Sequence, residues 1–130
     1  MKIATSIGVC IFMAGCAVPS KPKEPDATVV KRLSLTAAQI SVIQKGVAEG
    51  MKDPESARFG HIDANQMSDG TIVACGWVNG KNSYGGYIGM KPFHGIALTD
   101  LKVFRPISYG GTEIDTSITL TMCERAGIYT

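Results

Sequence analysis

The chain has 130 residues, with 13 Lys and Arg against 11 Asp and Glu and a net charge of +2, a length that suits one domain. A nucleic-acid binder gathers its positive charge into a stripe or patch; here the charges alternate in sign along the chain, which sets that class aside. The only histidines, His61 and His94, have no metal-ligand spacing, so no metal and no cofactor is expected.

The chain opens MKIATSIGVCIFMAGC. Lys2 precedes an apolar run from Ile7 to Ala14, far short of the roughly 20 residues that a membrane-spanning helix needs. A basic start, a short apolar centre and small residues at the exit predict a secretory signal peptide over residues 1–15. Met13-Ala14-Gly15-Cys16 resembles the lipobox of bacterial lipoproteins, with Met13 in place of the commoner Leu. The resemblance covers the first 16 residues. It implies cleavage before Cys16, a diacylglyceryl group on the Cys16 thiol, and acylation of the new amino terminus. More than one acyl chain gives durable membrane anchoring. In bacteria with two membranes, Ala17 after the cysteine implies sorting to the outer membrane, with the domain facing the periplasm or the cell surface.

Next comes AVPSKPKEPDATVVKR, in which Pro19, Pro22 and Pro25 interrupt charged and small residues. Proline at this density predicts an extended tether over residues 16–34. Glu24 and Asp26 dilute Lys21, Lys23, Lys31 and Arg32, so a solvated linker is expected rather than a head-group patch. Removing Lys2 from the 13 basic residues leaves 12 against 11 acidic ones, close to neutral. Of four cysteines, Cys10 leaves with the signal peptide and Cys16 carries lipid. Cys75 and Cys123 remain, and an even pair in an oxidising compartment predicts one disulfide.

A single globular domain is expected over residues 35–130. Thr36 with Gln39 three residues on forms a capping-box signal. Ile40, Ile43, Val47 and Met51 then recur at helical spacing, predicting a helix over residues 37–52 with Gly46 and Gly50 as weak points. Asp53-Pro54 suits a short further turn, and Phe59 and Ile62 lead into a strand. After the Asp69-Gly70 turn, TIVACGWVNG is the best strand in the chain; its alternating faces are both apolar, which predicts a central position. Residues 87–90 and 95–98 are further strand candidates, interrupted at Pro92, and Lys102-Val103-Phe104 is another, ended by Arg105-Pro106. In the tail, Ile118, Leu120 and Met122 alternate as in a strand. Asp115 or Ser117 as a cap, and Gly127-Ile128 as an end signal, favour a helix instead. The expected fold is α+β: a small antiparallel sheet with an N-terminal and a C-terminal helix packed on one face, and one disulfide.

Between the strands lies CGWVNGKNSYGGYIGMKPFHG, Cys75 to Gly95. Asn79-Gly80 suits a two-residue hairpin turn, and Asn82 and Ser83 bond readily to nearby backbone, so turns alone account for the glycines and asparagines. Trp77 and Phe93 belong to the core. Tyr84 and Tyr87 flank the double glycine, and tyrosines beside small residues are common in recognition surfaces. Lys81, Asn82, Tyr84 and Tyr87 are therefore the candidate binding loop, against the alternative of turns with incidental tyrosines. No serine-hydrolase elbow is present, and Gly76–Asn82 is one residue short of a phosphate-binding loop and lacks its Ser or Thr. A His-Asp-Ser set assembled from Asp63, Asp100 and Ser83 has nothing to single it out, and no catalytic residue is expected. Lys52–Phe59, Cys75-Gly76 and the Asn-Ser-Tyr-Gly-Gly-Tyr loop together resemble small exported proteins of unassigned function, which implies a shared small domain and no activity. The function expected is that of a lipid-anchored accessory protein with an envelope protein or cell-wall partner, such as a subunit of a secretion or conjugation apparatus. The alternative is a periplasmic inhibitor of a wall-degrading hydrolase, of the lysozyme-inhibitor kind.

Overall fold

A computed structural model describes residues 28–130; the signal peptide, the Met13–Cys16 lipobox and the first part of the tether lie outside the described residues. Helix α1 spans Ala37–Glu49 and begins as its sequence requires. The Gln39 amide donates to Thr36 Oγ1 at 3.2 Å and the Thr36 amide to Gln39 Oε1 at 2.9 Å, so the capping box satisfies donors that helix ends leave orphaned. Ile43 and Val47 are fully buried, while Ile40 and Met51 are half-buried. The helix stops three residues short of the expected 52, with Gly50 as its C-cap. A short 3-10 turn, Pro54–Ser56, follows with proline at its first position.

Five strands form one antiparallel meander in chain order: β1 Val29–Leu33, β2 Arg58–Met67, β3 Ile72–Asn79, β4 Lys91–Ala97 and β5 Phe104–Tyr109. Strand β1 lies in the stretch expected as tether. Its Val-Val pair is too short to show a period, and it becomes a strand only because β2 offers an edge, pairing Leu33 with Ala64 and Val29 with Met67. β3 is central, as its apolar faces predict. Both prolines expected to break strands sit inside them. Pro92 is the second residue of β4, and its carbonyl accepts from the Gly110 amide at 2.7 Å. One strand residue points its N–H and C=O to the same side, so the missing donor faces past Tyr109, the last paired residue of β5. Pro106 lies in β5, an edge strand, where a missing donor is tolerated.

Residues 87–90 do not form a strand. Tyr87 makes an isolated bridge to Lys81, and Gly89, at φ +92°, turns the chain out of the extended region. Nor is Asn79-Gly80 a turn: Asn79 ends β3 opposite Arg58, and Gly80 follows it with Met51 packed where a side chain would stand.

The tail is helical. Helix α2 spans Glu113–Arg125, and its cap is Thr112 in a capping box with Asp115, not Asp115 or Ser117. Its end follows the sequence signal. Gly127 has φ +72°, its amide donates to the Glu124 carbonyl, and that of Ile128 donates to Cys123, both at 2.9 Å. That is the Schellman pattern, and Ile128 is buried as its apolar contact.

The two helices lie on opposite faces of the sheet, not on one. Ile43 and Val47 of α1 pack with Ile72, Ala74 and Val78 of β3. Cys123 and Ala126, at the end of α2, pack with Val73 and Cys75. Successive strand residues point to opposite faces, so a strand apolar on both faces needs a cover on each. The expected disulfide joins Cys75 to Cys123 across this second layer, with Cα atoms 6.1 Å apart.

Gly46 lies close against β5, and a methyl group there would overlap the Phe104 carbonyl oxygen. Gly46→Ala gains about 1 kcal/mol of helix propensity but forces an overpacking that costs about 1–3 kcal/mol. A backbone atom cannot rotate aside, so the cost outweighs the gain and a net loss of up to about 2 kcal/mol is expected in urea unfolding. A more stable variant would show that α1 shifts freely on the sheet.

Candidate functional site

The connection between β3 and β4, residues 80–90, builds its own tip. The Lys81–Tyr87 bridge closes it, and Asn82 organises it. Asn82 Oδ1 accepts from the Tyr84 amide at 3.0 Å and from the Gly86 amide at 3.2 Å. The Asn82 amide donates to the Gly86 carbonyl at 2.9 Å. Gly85, at φ +79°, supplies the one left-handed residue of this tip.

Ser56 fastens the loop to the rest of the molecule. Its buried Oγ accepts from the Lys81 amide at 2.9 Å and donates to the Asp53 carbonyl at 2.8 Å. The Tyr87 hydroxyl donates to the Ser56 carbonyl at 3.1 Å, and Lys81 Nζ lies 5.6 Å from the Tyr87 ring centroid, within cation–π range. Asn82 and Tyr87 thus hold the loop in shape. Tyr84, in contrast, is 96% exposed.

An open cleft of about 530 Å³ lies between this loop, the end of α1 and the adjoining ends of β3, β4 and β5. Lys52, Lys81 and Lys91 line it together with Tyr84, Ile88 and Tyr109, and among the described residues no carboxylate lines it. Lys52 Nζ donates to Ser83 Oγ at 3.0 Å. Among the described residues none of the three lysines is salt-bridged. Tyr109 forms the floor, its hydroxyl donating to the Val47 carbonyl at 2.8 Å; burial pushes its phenol up to about 12, so it stays neutral.

Of the candidate residues, Lys81, Asn82 and Tyr84 line the cleft, and Tyr87 does not. Lys52, Ser56, Lys91 and Tyr109 were not singled out from sequence. Lys52 follows a helix end and Lys91 opens a strand, positions with no signal of what they face.

The histidines are elsewhere. His94 is buried on β4, where burial lowers its pKa, and its Nδ1 has no partner among the described residues. His61 Nε2 lies 3.0 Å from Asp63 Oδ2, while Arg32 Nη2 lies 2.8 Å from Asp63 Oδ1. Burial opposes ionisation of Asp63, but hydrogen bonds from Arg32 and His61, with their charges, hold its pKa below the ordinary range. The structure does not assemble the triad: Ser83 is bonded to Lys52 in the cleft, and Asp100 lies 3.5 Å from Lys102 in the β4–β5 connection. Among the described residues no group of His, Cys, Asp and Glu is arranged to hold a metal.

No family model matches the chain, and no curated protein or solved structure matches it. What the cleft does follows from its own chemistry.

Thr28 enters the sheet at the Met67 end of β2, its amide donating to Ser68 Oγ at 3.1 Å. The cleft lies at the other end, beside Val78 and Lys91. A strand rises about 3.4 Å per residue, so β3, Ile72–Asn79, separates the two ends by about 24 Å.

Proposed function

We propose that the protein is a lipid-anchored accessory protein of the bacterial cell envelope, held at the outer membrane through Cys16, and that it binds a partner without catalysing a reaction. The 80–90 loop and its cleft are the contact surface, and an envelope assembly such as a secretion or conjugation apparatus is the setting. The observation that carries this reading is the polarity of the domain: the tether enters one end of the sheet, and the shaped loop stands at the other. Tyr84 adds a large contact area at a small entropic cost. Among the described residues no helix is long and apolar enough to cross a membrane; the lipid anchor is proposed on the Met13-Ala14-Gly15-Cys16 resemblance.

The exposure of Tyr84 on a loop fixed by its own hydrogen bonds also favours a second reading. A protruding, pre-ordered aromatic suits insertion into the cleft of a wall-degrading hydrolase, with the lipid tether keeping the inhibitor in the envelope.

Fractionation and crosslinking test the proposal. Cys16→Ser is expected to move the protein from the membrane to the soluble fraction; unchanged membrane attachment would overturn the lipid anchor. Crosslinked pull-down from envelopes, run beside Tyr84→Ala, is expected to lose its main partner in the variant. Identical partners for both proteins would rule out the loop as the contact surface. A soluble hydrolase captured one-to-one would select the inhibitor reading, and membrane-embedded partners the assembly subunit.

A further inference from the structure

We infer that the cleft takes an acidic segment of a protein partner, with carboxylates on Lys52, Lys81 and Lys91 and a large apolar side chain seated among Tyr84, Ile88 and Tyr109. The inference deepens the binding reading above. It rests on the loop being the contact surface, but not on the anchor.

Charge complementarity is the first argument. Lys52, Lys81 and Lys91 all line one concavity, and among the described residues no carboxylate lines it. The acids nearest in sequence, Glu49 and Asp53, lie outside its lining. Gathering like charges costs free energy, and a carboxylate-bearing guest removes that cost. Lys52 Nζ is held at the cleft by Ser83 Oγ, while Lys81 Nζ lies over the Tyr87 ring at the cleft's edge and must swing from it to meet a carboxylate.

The apolar half of the lining narrows the guest. Met51, Val78, Ile88 and the rings of Tyr84 and Tyr109 offer far more hydrocarbon than three charges need. Ile88 is 53% exposed, apolar surface that a bound side chain would cover. Wall stem peptides bring carboxylates and small side chains but nothing of leucine or phenylalanine size. A bilayer surface brings negative charge but presents a plane, which leaves a concavity of about 530 Å³ unfilled. An acidic protein segment with interleaved apolar residues satisfies both halves.

The chain's own tether cannot be the guest. Its acids are Glu24 and Asp26, and the farther of them is four residues from Thr28, a reach of about 14 Å when fully extended. Thr28 is fixed to the far end of the sheet, about 24 Å from the cleft.

The test uses the full chain in detergent micelles and labelled short peptides of alternating acidic and large apolar residues. Comparison peptides replace either the acids by their amides or the apolar residues by alanine. The acidic-apolar peptide is expected to bind saturably and to weaken as salt is raised. Roughly tenfold loss is expected with the amide peptide and with the Lys81→Gln/Lys91→Gln variant, the scale of two partly exposed charge pairs. Lys102→Gln, in the β4–β5 connection, is expected to bind as the parent does. All the substituted lysines are at the surface, and thermal unfolding checks that each variant is folded. No saturable binding up to millimolar peptide, or equal affinity for the amide peptide, overturns the inference. So does lysine-dependent binding of phosphatidylglycerol vesicles or solubilised wall fragments in place of the peptide. If Tyr84→Ala abolishes a captured partner that the acidic peptide does not displace, the loop stands as contact surface and only this chemistry fails.

Discussion

Reducing the Cys75–Cys123 disulfide is expected to remove about 4 kcal/mol of stability, the chain-entropy value for a bridge of this span. The two cysteines are 48 residues apart, and the loop they close contains all of β4 and β5 and most of α2. The effect should concentrate in α2. Its within-helix buried residues are only Thr119 and Cys123, and it leaves Ile114 and Ile118 exposed. Such a helix has little apolar stripe to hold it; a hydrogen bond of 2.9 Å between Thr119 and Ser108, and the Ala126 and Ile128 contacts, add the rest. For a domain on the order of 100 residues, 4 kcal/mol corresponds to a fall in Tm of about 15–20 °C. Calorimetry with and without reductant measures it, and hydrogen exchange should show α2 losing protection before the β2–β4 sheet. A Tm unmoved by reductant would show that packing alone docks the helix.

Phe93→Ala is expected to cost about 3–5 kcal/mol, the range for deleting a buried aromatic ring. Phe93 is 0% exposed and meets Phe59 and Phe104 edge-on, each at a centroid distance of 6.3 Å. The site cannot collapse onto the vacancy from below. Opposite Phe93 on β3 is Gly76, where a methyl group would stand 2.6 Å from the His61 carbonyl oxygen and 2.9 Å from the Phe93 ring. Glycine is therefore required at 76 by β2 even without the ring, and no side chain is present there to fill the space. Urea unfolding measures the loss, and a cost under about 1.5 kcal/mol would mean that the strands close up. Because Lys91 and Pro92 immediately precede Phe93, the variant should also loosen one wall of the cleft, readable as broadened Lys91 signals in NMR.

The candidate site was only half legible in the sequence. Turn chemistry drew notice to residues 79–86, although Asn79-Gly80 is no turn, and Tyr84 stands out with Tyr87 because the two flank a double glycine. Asn82 and Tyr87 were grouped with it, yet the first builds the tip and the second ties it to Ser56. The remaining walls come from residues 50–52, 78, 91 and 109–110, far apart in the chain and ordinary in their local setting. Nothing within a few residues of Lys52 or Tyr109 shows that they will meet.

The same division runs through the fold. The start of α1 at Thr36, the end of α2 at Gly127-Ile128 and the central place of β3 were all determined by the sequence, because caps act within four residues and a strand's two faces are written in its alternation. The cysteine pairing followed as well, since so few cysteines were left to pair. Tertiary structure alone decided that Val29–Leu33 is a strand, that β4 and β5 run through Pro92 and Pro106, and that the helices take opposite faces. Those outcomes depend on which distant backbone offers a partner, where a missing donor points, and which face is still uncovered. No short stretch of sequence carries that information, because the deciding partners lie from 11 residues away, Gly95 to Pro106, to 48, Cys75 to Cys123.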